Sequence, residues 1–128
     1  MIMALIPQTD TSECLAYKVA RTVYYETGGK TLPVVEALTS MIKNLSDKSG
    51  MTIEQVTDKS DIFSRKYASG DMVAHRFDMC VRVARRMLTG VLPDMCCGAT
   101  MFHHGDVIPD WATSRGYIAD IDGILFYL

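Results

Sequence analysis

The sequence predicts an α+β fold that is mostly α, and three observations carry that reading. Apolar residues recur at three-to-four spacing over three long segments before residue 89, and caps, Gly and Pro bound those segments. Beyond Pro93 the pattern changes to short aromatic and β-branched runs around an Asp-Gly pair, the mark of a small β element near the C-terminus. With 128 residues, 48% of them apolar, the chain can bury a core as one domain, residues 1–128, without disulfides.

Four helical segments are expected before the strands. Asp10 followed by Glu13 reads as a capping-box start, after which Leu15, Ala16, Val19, Ala20, Val23 and Tyr24 share a face until Gly28-Gly29, so the first helix ends near Glu26. Pro33 suits the first turn of a second helix. Its residues Val34, Ala37, Leu38, Met41, Ile42 and Leu45 form a broad apolar stripe, which places that helix in the middle of the domain. Thr52 with Gln55 predicts a short capped turn through Val56, and the polar run Asp58 to Gly70 reads as a surface loop. From Asp71 to Leu88 a further amphipathic helix turns Val73, Phe77, Cys80, Val81, Ala84 and Leu88 inward and Arg82, Arg85 and Arg86 outward, with Gly90 as its stop. Ala99 to His103 is compact and aromatic, and Tyr117–Ile121 and Ile124–Leu128 flank Asp122-Gly123 as a hairpin.

Charge and composition exclude several classes. Thirteen basic against fifteen acidic residues, a net charge of −2, supply no global field for nucleic acid, and no stretch approaches the roughly 20 apolar residues of a membrane span. The three arginines of the last long helix read as a solvated face near a helix C-terminus, where cations suit the dipole. The short run Met1 to Ile6, closed by Pro7, lacks the basic region and apolar length of an export signal, so synthesis in the cytoplasm is expected. Cys14, Cys80, Cys96 and Cys97 show no CxxC spacing and read as reduced, with Cys14 and Cys80 on apolar helix faces.

Two places break local rules. Glu26 stands in the last turn of its helix, where the dipole opposes a carboxylate, and it precedes Gly28-Gly29, where side-chain bulk is small. Dipole and partial dehydration both raise its pKa, as a general acid requires; the alternative is a solvated Glu that tolerates the helix end. The second place is Gly98-Ala99-Thr100-Met101-Phe102-His103-His104 followed by Pro109, Asp110 and Trp111, whose small residues, imidazoles and indole suit the wall of a sugar-binding cleft. Cys96, Cys97, His103 and His104 are rival zinc ligands, but adjacent pairs project on divergent vectors, so neither metal nor cofactor is expected. A Cys–His nucleophilic pair lacks a third, orienting residue.

These residues resemble the SleB-like cell-wall hydrolases, the catalytic domain of spore-cortex-lytic enzymes and related bacterial and phage proteins, over about Cys14 to Leu128. Ala20-Arg21-Thr22-Val23-Tyr24-Tyr25-Glu26-Thr27-Gly28-Gly29-Lys30 follows the family's Glu-bearing stretch, and Lys43-Asn44-Leu45 falls on its Leu-Asn-Arg helix end. Ile62-Phe63-Ser64 is similar to its Gln-Phe-Ser segment; Gly98, Ala99, Thr100, Phe102, Pro109 and Trp111 match its Gly-Ala-Thr block, and Ile121 to Tyr127 its closing motif. The resemblance implies a lysozyme-like domain that cleaves peptidoglycan between N-acetylmuramic acid and N-acetylglucosamine by lytic transglycosylation, with Glu26 as the single acid and base. Tyr25, Phe63, Thr100, Phe102, His103 and Trp111 are then the candidate substrate contacts and Asn44 a supporting residue. The chain departs from the family pattern next to Glu26, where Gly28 and Lys30 replace Arg and Glu and Tyr25 replaces Gly, and in the middle loop, where Ile62 replaces Gln.

The function expected is a monomeric peptidoglycan-cleaving enzyme, released through a holin if a phage endolysin. A hydrolytic muramidase would need a second carboxylate, for which Asp61 and Asp106 are the candidates. A glycan-binding module with a drifted site and a metal-dependent amidase are the other readings. Replacing Glu26 by Gln is expected to cost orders of magnitude in rate and leave folding intact.

Overall fold

A computed structural model describes the backbone of residues 2–128 and the side chains from Glu13 onward. The chain forms α1 (Ile2–Thr27), α2 (Leu32–Ser49), α3 (Ile53–Thr57), α4 (Ala74–Leu88), β1 (Met101–His104), a 3-10 turn (Asp110–Ala112), β2 (Ala119–Ile121) and β3 (Ile124–Tyr127). About half the chain is helical, and the three strands make an antiparallel sheet of order β1-β3-β2, so the α+β reading with a small C-terminal β element holds.

The helices pack by the stripes the sequence lays out. Val19, Ala20 and Val23 of α1 meet Leu38, Met41 and Ile42 of α2 and Val83 and Ala84 of α4 in a core with almost no solvent exposure. Burying that much aliphatic surface is the main force holding the three helices together. α2 starts where Thr31 caps the Val34 N–H, with Pro33 in its first turn, and ends at Gly50 in the left-handed region. The Thr52/Gln55 box caps α3 in both directions, as the sequence predicts.

Four expectations change. α1 is already helical at Asp10, because Met, Ala and Leu ahead of it are good helix formers; the Asp10 side-chain cap lies outside the described residues. Cys14 is exposed rather than buried, since it sits about half a turn round the helix from the inward Ala16. α4 begins at Ala74, not Asp71, because Val73 is extended and gives its N–H to the Tyr24 hydroxyl at 2.8 Å. Val73 is therefore exposed, and Val83 and Met87 join Cys80, Val81 and Ala84 in the core, with Phe77 and Leu88 only partly buried. The arginine face is partly engaged: Arg85 pairs with Glu13 of α1 and Arg86 with Glu36 of α2 at 3.1 Å, while Arg82 stays in solvent.

The sheet closes the other side of the core. Asp122 (φ 50°) and Gly123 (φ 82°) make the tight turn between β2 and β3, both left-handed as a type I′ hairpin requires. Alternation along β1 sends Phe102 and His104 to one face, with Phe126 and Ile124 of β3, and Met101 and His103 to the other, with Tyr127. Phe102 also meets Phe63, which roots the 58–73 loop in the core. That loop is therefore only partly a surface loop.

Candidate active site

Glu26 lies one residue before the end of α1 and is fully buried. Its carboxyl takes four hydrogen bonds. Oε1 accepts from the Ser64 N–H (3.0 Å), the Ser64 hydroxyl (2.6 Å) and His104 Nε2 (2.9 Å), and Oε2 accepts from the Arg65 N–H (2.9 Å). A carboxylate can only accept, so His104 presents its Nε2–H. The donors come from two elements distant in sequence, β1 and the 58–73 loop, which turns about Arg65 in the left-handed region (φ 58°) so that successive N–H groups aim at one carboxyl.

Burial pushes the Glu26 pKa up, but the hydrogen bonds from His104, Ser64 and Arg65 outweigh it and hold the carboxyl below its ordinary value of 4.5. The expected rise from helix dipole and dehydration is thus overturned. Its sign fixes a pH dependence: a carboxylate whose folded pKa is depressed stabilises the fold above the unfolded value, and that contribution is lost as pH falls through the folded one. Melting temperature should therefore drop below about pH 4.5, and a Glu26→Gln variant should lose less on acidification than the parent. Equal acid sensitivity of the two would show that Glu26 carries no such share.

The carboxyl sits between two lobes of a cleft. One, of about 510 Å³, is lined by Thr27, Lys30, Thr31, Tyr67, Asp122 and neighbours; the other, of about 440 Å³, by Asp61, Ile62, Ser64, Phe102, His103, Val107, Pro109 and Trp111. Glu26, His104, Lys66 and Asp106 border both lobes. Lys66 and Asp106 face each other at 3.4 Å with exposed side chains, an ion pair that water weakens and that opens at little cost. On the second lobe Trp111 stands edge-on to His103 and to Tyr127, with ring centroids 5.8 and 5.0 Å away, and is 37% exposed. His103 Nδ1 lies 2.7 Å from the His104 carbonyl and so carries the hydrogen, while Nε2 lies 2.8 Å from the Tyr127 hydroxyl.

Of the residues singled out in the sequence, Glu26, Phe102, His103 and Trp111 meet around this second lobe, with both candidate second acids, Asp61 and Asp106. The other four lie elsewhere. Thr100 is buried, its N–H bonded to the Tyr127 carbonyl. Tyr25 and Phe63 line a separate pocket behind the 58–73 loop. Asn44 donates to the Ala99 carbonyl (3.1 Å), Asp94 and Cys96, so it fixes the approach to β1 rather than touching the cleft. Ser64, Arg65, Lys66 and His104 escaped the list of contacts. Adjacent histidines on a strand must face opposite ways, so one of the two had to turn toward the helices; which one depends on register.

All four cysteines are free thiols, and burial pushes Cys80 and Cys96 up to about 12, which leaves neither a nucleophile. Among the described residues no three His, Cys, Asp or Glu side chains converge as a metal site would need, and no helix is long and apolar enough to cross a membrane. Comparison of the chain with protein-family models, with curated proteins and with solved structures finds no match.

Proposed function

We propose that the chain cleaves the glycan strand of peptidoglycan between N-acetylmuramic acid and N-acetylglucosamine, as a lysozyme-like lytic transglycosylase with Glu26 as its acid and base. One observation carries the reading: a buried carboxylate between the two lobes of an open cleft, one of them walled by Trp111 and Phe102. Flat aromatic faces with a few aimed polar groups are what a sugar needs. In the chemistry proposed, Glu26 protonates the glycosidic oxygen, and as carboxylate it then takes the proton of the muramyl 6-hydroxyl while that oxygen closes a 1,6-anhydro ring.

Resting Glu26 is held ionised, so the proton must reach it. His104 Nε2–H already points at Oε1, and Oε2, with a single hydrogen bond, has a lone pair to spare. A glycan that fills the cleft expels water, which disfavours a bare carboxylate, so Glu26 takes up a proton from solvent as the substrate enters, with Oε2 as the free site. Contact also requires the exposed Lys66–Asp106 pair to part. If a hydrolytic muramidase is the correct variant, Asp61 or Asp106 supplies the second carboxylate.

The full burial of Glu26 favours a second reading, a glycan-binding module in which this carboxylate only pins the 58–73 loop to β1. Digestion of purified peptidoglycan with mass spectrometry of the products separates them. Anhydromuramyl ends are expected; reducing ends would mean a muramidase, free stem peptides an amidase, and binding without any product the module. Release through a holin, if the chain is a phage endolysin, belongs to the same proposal.

A further inference from the structure

Behind the loop that holds Glu26 lies a third pocket, of about 220 Å³, lined by Lys18, Arg21, Lys59 and Arg65 with Tyr25 and Phe63. Alternation along the loop separates it from the cleft: Ile62, Ser64 and Lys66 face the cleft, and Phe63 and Arg65 face this pocket. In a chain of net charge −2 it gathers four cations around a single lining acid, Asp58. Lys18 is committed to Asp58 at 2.6 Å and Glu54 at 3.7 Å, and Lys59 reaches Asp61 only at 4.0 Å. Among the described residues Arg21 and Arg65 make no ion pair, and the Arg65 guanidinium lies over the Tyr25 ring, 5.2 Å from its centroid, which orders it before any ligand arrives.

We propose that this pocket binds an oxyanion, a carboxylate or a phosphate group, through Arg21, Arg65 and Lys59. Guanidinium forks match both groups in geometry, and a concave site with unmatched positive charge attracts them in preference to the bulk surface. The proposal is independent of what the cleft cleaves. It gives Tyr25 a place in binding that the cleft does not, and it puts a ligand against Arg65, whose own N–H holds Glu26 Oε2.

The test is a ¹⁵N-amide NMR titration of the full chain at constant ionic strength, one arm with inorganic phosphate and one with N-acetylglutamate as a peptide carboxylate. Saturable shifts confined to Arg21, Tyr25, Lys59, Ser60, Ser64 and Arg65 are expected, and the arm that saturates first identifies the source of the anion. Arg21→Gln should weaken binding about tenfold. If that variant does not fold, Lys59→Gln, at a loop position, makes the same test. Shifts that stay linear in both arms, spread over all surface cations, or persist unchanged in the folded variant would overturn the proposal.

Discussion

Glu26→Gln is expected to lower the rate of glycan cleavage by about three orders of magnitude or more and, in the same molecule, to lower the melting temperature. The rate loss follows from the proposed mechanism, in which this group both gives and takes a proton, since an amide does neither at neutral pH. The stability loss follows from the four donors around the carboxyl, two of them main-chain N–H groups that cannot turn away. A Gln side chain keeps one oxygen and points an amino group at the donors facing the other. An unmet charge-assisted set of this kind costs about 3 kcal/mol, or roughly 10 °C for a domain of this size. The variant is still expected to fold, as the sequence reading has it, with a lower melting temperature than the parent.

Because both quantities fall, the rate must be read where each variant is still folded, with Ser64→Ala as the control. That change removes the 2.6 Å hydroxyl donor and costs stability, yet leaves the carboxyl in place. Anhydromuramyl product should fall far less in Ser64→Ala than in Glu26→Gln. A folded Glu26→Gln with near-normal activity would end the catalytic assignment, and equal losses in both would mark Glu26 as a loop anchor only.

Local signals carried the fold further than the site. The α2 stripe, the Thr52/Gln55 box and the Asp122-Gly123 turn are each set by neighbours within a few residues, and periodicity or turn chemistry exposes such features. Glu26 was visible for the same reason, as a carboxylate at the wrong end of a helix. Its electrostatics were not. The groups that reverse its pKa come from Ser64, Arg65 and His104, which lie 38 to 78 positions away in the chain. Main-chain N–H groups leave no mark on residue type, so a polar loop such as 58–73 reads as solvent-facing even where it folds back to grip a charge. Asn44 shows the converse: its side chain does brace a segment, but the one before β1 rather than the cleft.

Gly29→Ala should be the most damaging small substitution outside the carboxyl itself. Gly29 has φ of 59°, a conformation that costs an L-residue roughly 1 to 2 kcal/mol. A Cβ there would also lie 2.9 Å from Arg76 Cβ, 3.1 Å from the Arg76 carbonyl oxygen and 3.1 Å from Tyr24 Cδ2. The Arg76 backbone sits in the first turn of α4 and cannot rotate aside, so overpacking adds about 1 to 3 kcal/mol. Gly28→Ala isolates the backbone share, because φ there is 69° but the nearest atoms lie at 3.4 Å, ordinary contact with flexible side chains. Thermal melts should therefore place Gly29→Ala below Gly28→Ala by roughly 3 to 10 °C, and equal melts would show that the close packing of α1 on α4 is not what Gly29 protects. The clash falls three residues after Glu26 and forces the end of α1 away from α4, whereas Ser64 and Arg65 stay with the Phe63 anchor in the core. Cleavage by the folded Gly29→Ala protein should accordingly drop while binding to the glycan persists, because the carboxyl, not the aromatic wall, has lost its register.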